Sequence, residues 1–379
     1  MNNSSCDVLV VGGGPAGLAA AIALRMRGAD VLVADSLRPP IDKACGEGLM
    51  PDARRGLAAL GVDCEAKGGA TFRGIRFANW ADMEPVSVAA EFGCGEGSGI
   101  PRTMLHTSMV ERAQSLGVRF RWGTHVGLGA GITLNQNACR YRYLVGADGQ
   151  SSRVRGWAGL DEGKTIARRF GFRRHYRVAP WSQYVEVHWT AMGQVYITPV
   201  SGNEICVAVV TRNSAVRIRD VVNAIPFLRE RLPHDRVRDT ERGAVTMTRR
   251  LKRVENGNVA LIGDASGSVD AIAGEGLALS FRQAMLLGES ITNGGLEVYA
   301  TAHRKILAKP QRMTRLLLLM DAYPAVRNYA MHVLAGSPGL FRGMIDLHLG
   351  DSTMLRFLLN HGADMAARLV LPGVCPAEW

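Results

Sequence analysis

The residues with the clearest chemical meaning are Gly12, Gly14 and Gly17, whose G-x-G-x-x-G spacing also encloses Pro15 and Ala16. Gly12 permits a tight turn, Gly14 lets a pyrophosphate approach bare backbone, and Gly17 lets the following helix pack closely on its strand. Free amides at the start of that helix then face the phosphates. Asp35, 23 residues beyond Gly12, is placed to accept hydrogen bonds from an adenosine ribose, and its charge disfavours a 2′-phosphate there. Two further acids end apolar runs: Asp148, followed by Gly149, after Tyr143–Ala147, and Asp264, preceded by Gly263, after Val259–Ile262. Taken singly, either could be an ordinary turn residue or helix cap. Together with the glycine fingerprint they describe acids gathered at the carboxyl ends of buried parallel strands, where open α/β sheets bind their ligands.

Regular elements must hold these groups in place. Asp7–Val11 is an apolar run of strand length that leads into the glycines, a helix runs from Leu18 to about Gly28, and Val31–Ala34 is a second strand that delivers Asp35. Gly274, Gly276 and Leu277 open a helix of small and apolar residues reaching about Ile291, whose amino end, with bare backbone and the positive end of the helix dipole, suits a carbonyl or anionic group of a ligand. Tyr184–Trp189 alternates, and Gln194–Pro199 and Ile205–Val210 are further strands, so the stretch from about 165 to 250 reads as β-rich. Beyond 305 the pattern is helical, with breaks at Pro310, Pro324 and Pro338.

These motifs resemble the flavoprotein monooxygenase and geranylgeranyl reductase superfamily, which has the p-hydroxybenzoate hydroxylase-like fold. Tyr143–Arg155 is similar to its D-G motif and Val259–Ala265 to its G-D motif, in which the aspartate holds the ribityl chain of FAD. The resemblance covers about residues 7 to 300. It implies an α/β fold with a Rossmann-like FAD-binding domain in three pieces, 1–75, 100–160 and 250–305. A β-sheet substrate domain would come from 76–99 and 165–249, followed by a helical region over 306–379. It implies FAD as the cofactor, with Arg102, and more weakly Lys43, contacting its phosphate or ribityl region. NAD(P)H would be a transient reductant, because no second dinucleotide fold is present.

Within that superfamily the resemblance allows three reactions. Foremost is hydroxylation of an aromatic or polyketide-like small molecule through a flavin hydroperoxide, where the protein mainly positions and desolvates. The rival is reduction of prenyl double bonds. Cys45-Gly46 matches the cysteine-glycine pair of such reductases, but Ala271 replaces the usual proline, and the Y-x-W-x-F-P strand is reduced to Gln194, Tyr196 and Thr198 ahead of Pro199. The third is halogenation, to which Gly46–Pro51 is similar although the W-x-W-x-I-P strand is absent. Candidate catalytic groups are Cys45 as a proton donor or pocket residue, His175 or His188 as a base for a phenol, and Tyr196 as an orienting ring. A flavin-binding module without turnover is the reading from another class, and an intact set of cradle motifs speaks against it.

Composition bounds the rest. With 379 residues, 47% of them hydrophobic, the chain is long enough for two domains. The seven cysteines, at 6, 45, 64, 94, 139, 206 and 375, show no metal or dithiol spacing, so they read as free thiols. A formal charge of +11 suits an anionic cofactor or anionic lipid, whereas the scattered arginines do not form a nucleic-acid patch. No apolar run is long enough to span a membrane and the first residues lack a signal-peptide pattern, which implies a cytoplasmic protein. The carboxyl-terminal helices interleave Lys305, Lys309, Arg312 and Arg315 with Leu316, Leu319 and Met320, and Phe341, Met344 and Ile345 recur further on. Such spacing predicts packing against the cofactor domain. The sharper expectation is a greasy, basic rim that touches membrane lipid and admits a lipophilic substrate.

Overall fold

The structure, a computed structural model, describes residues 5–63, 68–80 and 85–370, without the side chains of 309 and 363–370. Cys64 and Cys375 lie outside the described residues.

The apolar runs form a parallel sheet in the order Val259–Leu261, Arg140–Gly146, Ser5–Val11, Val31–Asp35, Arg119–Trp122, with Glu255–Asn256 antiparallel at one edge. Successive residues of each central strand go to opposite faces. Val8, Val10, Val31 and Val33 pack against helices Pro15–Arg25, Arg102–Ser115 and Gly276–Asn293. Leu9, Val11, Leu32 and Ala34 pack beneath a small antiparallel meander, Val126–Leu128, Ile132–Leu134 and Asn137–Ala138. Burial on both faces is why these strands read as unbroken apolar runs. The register sets Val11 beside Ala34 and Gly146, and Gly146 beside Leu261. One carboxyl edge therefore presents Gly12, Asp35, Asp148 and Asp264.

A second, seven-stranded sheet has the order Arg242–Leu251, Gly163–Tyr176, Glu204–Thr211, Gly193–Ser201, Tyr184–Thr190, Gly74–Asn79, Val86–Glu91. Gly74–Asn79 joins it parallel to Tyr184–Thr190 across a sequence gap of about a hundred residues, a pairing invisible to local periodicity. The alternation in Tyr184–Thr190 does not mark a solvated face. Glu186 and His188 are buried and bonded to each other at 3.1 Å, and Trp80 Nε1 donates to His188 Nδ1 at 2.9 Å.

Helices Leu296–Ala322, Pro324–Ala335, Pro338–Leu349 and Met354–Val370 close the molecule. Pro324 and Pro338 sit at first helical positions, where a missing N–H costs nothing. The break expected at Pro310 does not occur: Pro310 lies inside Leu296–Ala322. Proline forfeits one backbone bond there, and burial of the residue on the body of the protein holds the helix together. The expected packing of this region against the cofactor domain is also corrected. Leu317, Met320, Phe341 and Ile345 pack on Val185, Val187 and Trp189 of the second sheet, because that sheet offers an uncovered apolar face while the parallel sheet already has its helices.

Candidate cofactor and substrate site

The fingerprint glycines are required by geometry. Gly12 has φ +110°, and a Cβ there would sit 2.3 Å from the Ala147 carbonyl oxygen; at Gly17 it would sit 1.8 Å from the Gly12 carbonyl oxygen. Gly14 differs, since a Cβ there would meet nothing within 4 Å. Its backbone faces open space in front of the helix. Gly274 and Gly276 are likewise bare at the start of Gly276–Asn293. Gly263, at φ +61°, passes so close to the glycine-loop helix that a Cβ would approach Ala16 Cβ at 2.6 Å. Buried His106 braces the loop by bonding the Gly13 carbonyl oxygen at 2.8 Å. Nothing in the local sequence marks that histidine.

The acids divide by what already holds them. Asp35 accepts N–H bonds from Gly13 at 2.6 Å and Leu37 at 2.8 Å, so it fixes the turn as well as facing the cavity. Asp148 Oδ2 caps the short helix Arg153–Trp157 through the Arg153 and Val154 amides, while its Oδ1 has no partner. Asp264 is the freest, with Lys43 Nζ at 3.9 Å from its carboxylate. Its turn is held from behind: Gly263 N–H donates to Gln283 Oε1 at 2.7 Å, and the Gln283 amide donates to His303 Nε2 at 3.0 Å. Burial pushes His303 down to about 4, so the ring that accepts this bond is neutral.

A cavity of about 690 Å³ joins all these groups. Pro15, Ala16, Asp35, Lys43, Arg102, Asp148, Gly149, Asp264 and Leu277 line it with the bare glycines, and Gly17 and Gly263 support it from behind. The cavity continues between the second sheet and the carboxyl-terminal helices as an apolar arm bounded by Phe77, Val187, Tyr196, Leu317, Met320 and Phe341. Tyr196 donates its hydroxyl to the Ile272 carbonyl at 3.0 Å, and burial raises that phenol well above its ordinary value, so it orients rather than titrates. Cys45 lines the junction between the two parts.

His175 and His188 do not reach the cavity. His175 stands behind Glu47, with Nε2 at 2.6 Å from Glu47 Oε2 and Nδ1 at 2.8 Å from Asp239 Oδ2. Burial would lower its proton affinity, but Glu47 and then Asp239 outweigh that and hold it above the ordinary histidine range. Glu47 was not singled out as chemical by the sequence, although an acid between two glycines is its only local mark. It is buried and left-handed at φ 59°, a conformation that costs a non-glycine residue about 1 to 3 kcal/mol and persists where its surroundings dictate it. Arg102 N–H and the Ile100 amide supply that constraint, donating to Glu47 Oε1 and to its carbonyl, each at 2.9 Å.

A cofactor with a pyrophosphate and a polyhydroxyl chain matches this wall. Bare backbone lies at Gly14, Gly274 and Gly276, and unpartnered polar atoms remain at Arg102 Nε, Asp148 Oδ1 and Gln150 Oε1. The same conclusion comes from comparison with known proteins: residues 5–309 match the family described as FAD binding domain, and the chain belongs to it. It is an FAD-dependent oxidoreductase. The chain is 28% identical over 341 residues to a menaquinone reductase of Mycolicibacterium smegmatis, covering 80% of this chain and 81% of that one. It is 25% identical over 312 residues to a digeranylgeranylglycerophospholipid reductase of Methanosarcina mazei, covering 75% and 74%. A flavoprotein/dehydrogenase from Cytophaga hutchinsonii shares the fold at 16% identity, with a TM-score of 0.78 over 97% of this chain and 98% of that one.

Proposed function

We propose that this flavoenzyme saturates a carbon–carbon double bond in the isoprenoid chain of a lipophilic substrate, with NAD(P)H as the ultimate reductant. The observation that carries this reading is the apolar arm. Its charged wall groups Asp35, Lys43, Arg102, Asp148 and Asp264 stand at the cofactor end, and apart from His348 the wall between the second sheet and the carboxyl-terminal helices is an aliphatic and aromatic sleeve of prenyl-chain character. Two relatives act, by name, on menaquinone and on a digeranylgeranyl phospholipid, both of which carry isoprenoid chains.

Bound FAD, once reduced, supplies a hydride equivalent. The protein's share is positional: Gly12–Gly14 and the start of Gly276–Asn293 would hold the cofactor's anionic and carbonyl groups, Asp264 would hold its ribityl hydroxyls, and Phe77, Tyr196 and Phe341 would seat the chain and exclude water. Aromatic hydroxylation, the other reading, loses both histidines expected as a base for a phenol, since His175 and His188 stand outside the cavity, although His125 and His348 line it.

The test is anaerobic turnover. Purified protein with FAD, NADH or NADPH and a menaquinone bearing an unsaturated side chain should give, after any quinol has been reoxidised in air, a quinone heavier by two hydrogens per reduced side-chain bond. A product heavier by one oxygen, formed only in air, would establish hydroxylation instead.

A further inference from the structure

The apolar arm is interrupted by His348, which stands near the end of helix Pro338–Leu349 and lines the cavity beside Phe341, Met344 and Ile345 of the same helix. Its Nδ1 is buried and lies 3.0 Å from Glu275 Oε1. The 10% of the side chain that is exposed therefore falls on its other atoms, and Nε2, which no described residue hydrogen-bonds, is the polar one among them. Glu275 directly precedes Gly276, the first residue of the helix whose start forms part of the cofactor wall. The ring thus stands at the seam between the cofactor end and the sleeve. We propose that His348 Nε2 anchors an oxygen atom, carbonyl or hydroxyl, at the head of an isoprenoid substrate. The chain then runs from the seam into the sleeve, and a double bond near the head, rather than one at the far end, is brought to the cofactor. This role deepens the double-bond reductase reading and rests on it.

The groups behind the ring hold it in place. Glu275 is 5% exposed, and an Arg282 guanidinium nitrogen approaches its Oε2 at 3.8 Å and Asp52 Oδ2 at 3.3 Å. Burial pushes the Asp52 carboxyl up, and Arg282 counters part of that rise. One guanidinium is thus shared between two carboxylates, and Glu275 turns its other oxygen to His348, since a buried carboxylate is tolerated only where partners surround it. With a hydrogen kept on Nδ1 toward Glu275, Nε2 donates to a carbonyl when the ring is protonated and accepts from a hydroxyl when it is neutral. Either form serves an oxygen, and neither serves a hydrocarbon. A chain that covers Nε2 without an oxygen there strips a polar atom of water and gives nothing back, whereas a chain with an oxygen at its head restores the bond. His348 therefore selects for a functionalised head, and the rest of the chain meets Phe77, Leu317 and Met320.

The experiment uses the FAD-loaded chain and the variants His348→Phe, His348→Leu and His348→Gln. FAD content and melting temperature identify any variant that fails to fold, and His348→Leu keeps the anchor testable if His348→Phe does. Geranylgeraniol, whose hydroxyl can give or take a hydrogen bond, and squalene, an isoprenoid hydrocarbon without oxygen, are titrated against each protein and followed by the visible absorbance of the bound flavin. The anchor predicts that His348→Phe and His348→Leu weaken geranylgeraniol binding by roughly tenfold while squalene binds as before or more tightly, and that His348→Gln, which keeps a polar group, recovers part of the loss. In anaerobic turnover of a menaquinone, the parent should saturate a bond near the ring, and the apolar variants should spread reduction along the tail. Parental geranylgeraniol affinity in a folded His348→Phe or His348→Leu would overturn the anchor, as would an equal loss for both ligands, which is the mark of damaged packing. A parent chain that leaves the menaquinone tail untouched would overturn the reductase reading instead, and the titrations, which need no turnover, still decide the anchor.

Discussion

Asp264 and Asp35 look equivalent in sequence, each an acid at the end of a cofactor-domain strand, but their surroundings give them different work. Asp264 supports little of the protein beyond a 3.9 Å approach from Lys43, so its carboxylate is available for the ligand. Asp264→Ala should leave the melting temperature of the FAD-free protein within about a degree and weaken FAD binding by roughly tenfold or more, since leaving buried hydroxyls unmatched costs about 1 to 3 kcal/mol. Asp35 instead accepts two backbone N–H groups that shape the glycine loop. Asp35→Asn turns one acceptor oxygen into a donor amide facing an N–H, and should lower the melting temperature of the FAD-free protein while weakening FAD less than Asp264→Ala does. Equilibrium dialysis of FAD and thermal melts on both variants check the pair. Tight FAD binding by Asp264→Ala would remove Asp264 from the site.

At the scale of elements, the helix Leu296–Ala322 contributes more than cover. Through His303 it supports Gln283 and the Gly263 amide, and so the turn that carries Asp264. His303 is 1% exposed and titrates at about 4 in the folded protein, against about 6.5 for an unfolded chain. Between those values the unfolded chain takes up a proton that the folded chain refuses, so stability falls as pH drops from 6.5 to 4, by about 3 kcal/mol from this group. Urea unfolding at closely spaced pH values should show that slope. In His303→Phe, stability at pH 7 should be lower because the Gln283 amide loses its acceptor, yet less should be lost between pH 6.5 and 4. An unchanged slope would mean that another group sets the acid limb.

Across the whole molecule, the positive charge and the apolar surface meet on one helix. Leu316, Leu319 and Tyr323 are 37%, 44% and 57% exposed, and Arg312 and Arg315 are exposed beside them. Leu316 also lines the cavity, so the exposed strip adjoins the apolar arm. None of the described helices is long and apolar enough to cross a membrane. We propose that this strip draws a lipid-borne substrate from a bilayer surface. We expect the chain to co-sediment with vesicles containing anionic phospholipid, less so at high salt, and to lose binding in Leu316→Glu combined with Leu319→Glu or when Arg312 and Arg315 are made neutral. Protein that stays in the supernatant at every salt concentration would place substrate loading in solution.

Which groups stand at the carboxyl edge of the parallel sheet was legible in the residues alone. Gly12, Asp35, Asp148 and Asp264 each end or follow a local apolar run, and a local run is enough to define a strand, its end and the helix beyond it. The serine-capped helix after Asp148 and the helix from Gly276 followed from the same short-range rules. What only the tertiary structure decided depends on contacts between distant segments. Pro310 reads locally as a break, yet packing of the long helix on the body of the protein overrides one missing backbone bond. His175 reads as a base for a phenol. Folding places it instead between Glu47, 128 positions before it, and Asp239, 64 positions after it. The partners of a buried polar group are set by which strands and loops happen to meet, and no periodicity within either segment records that meeting.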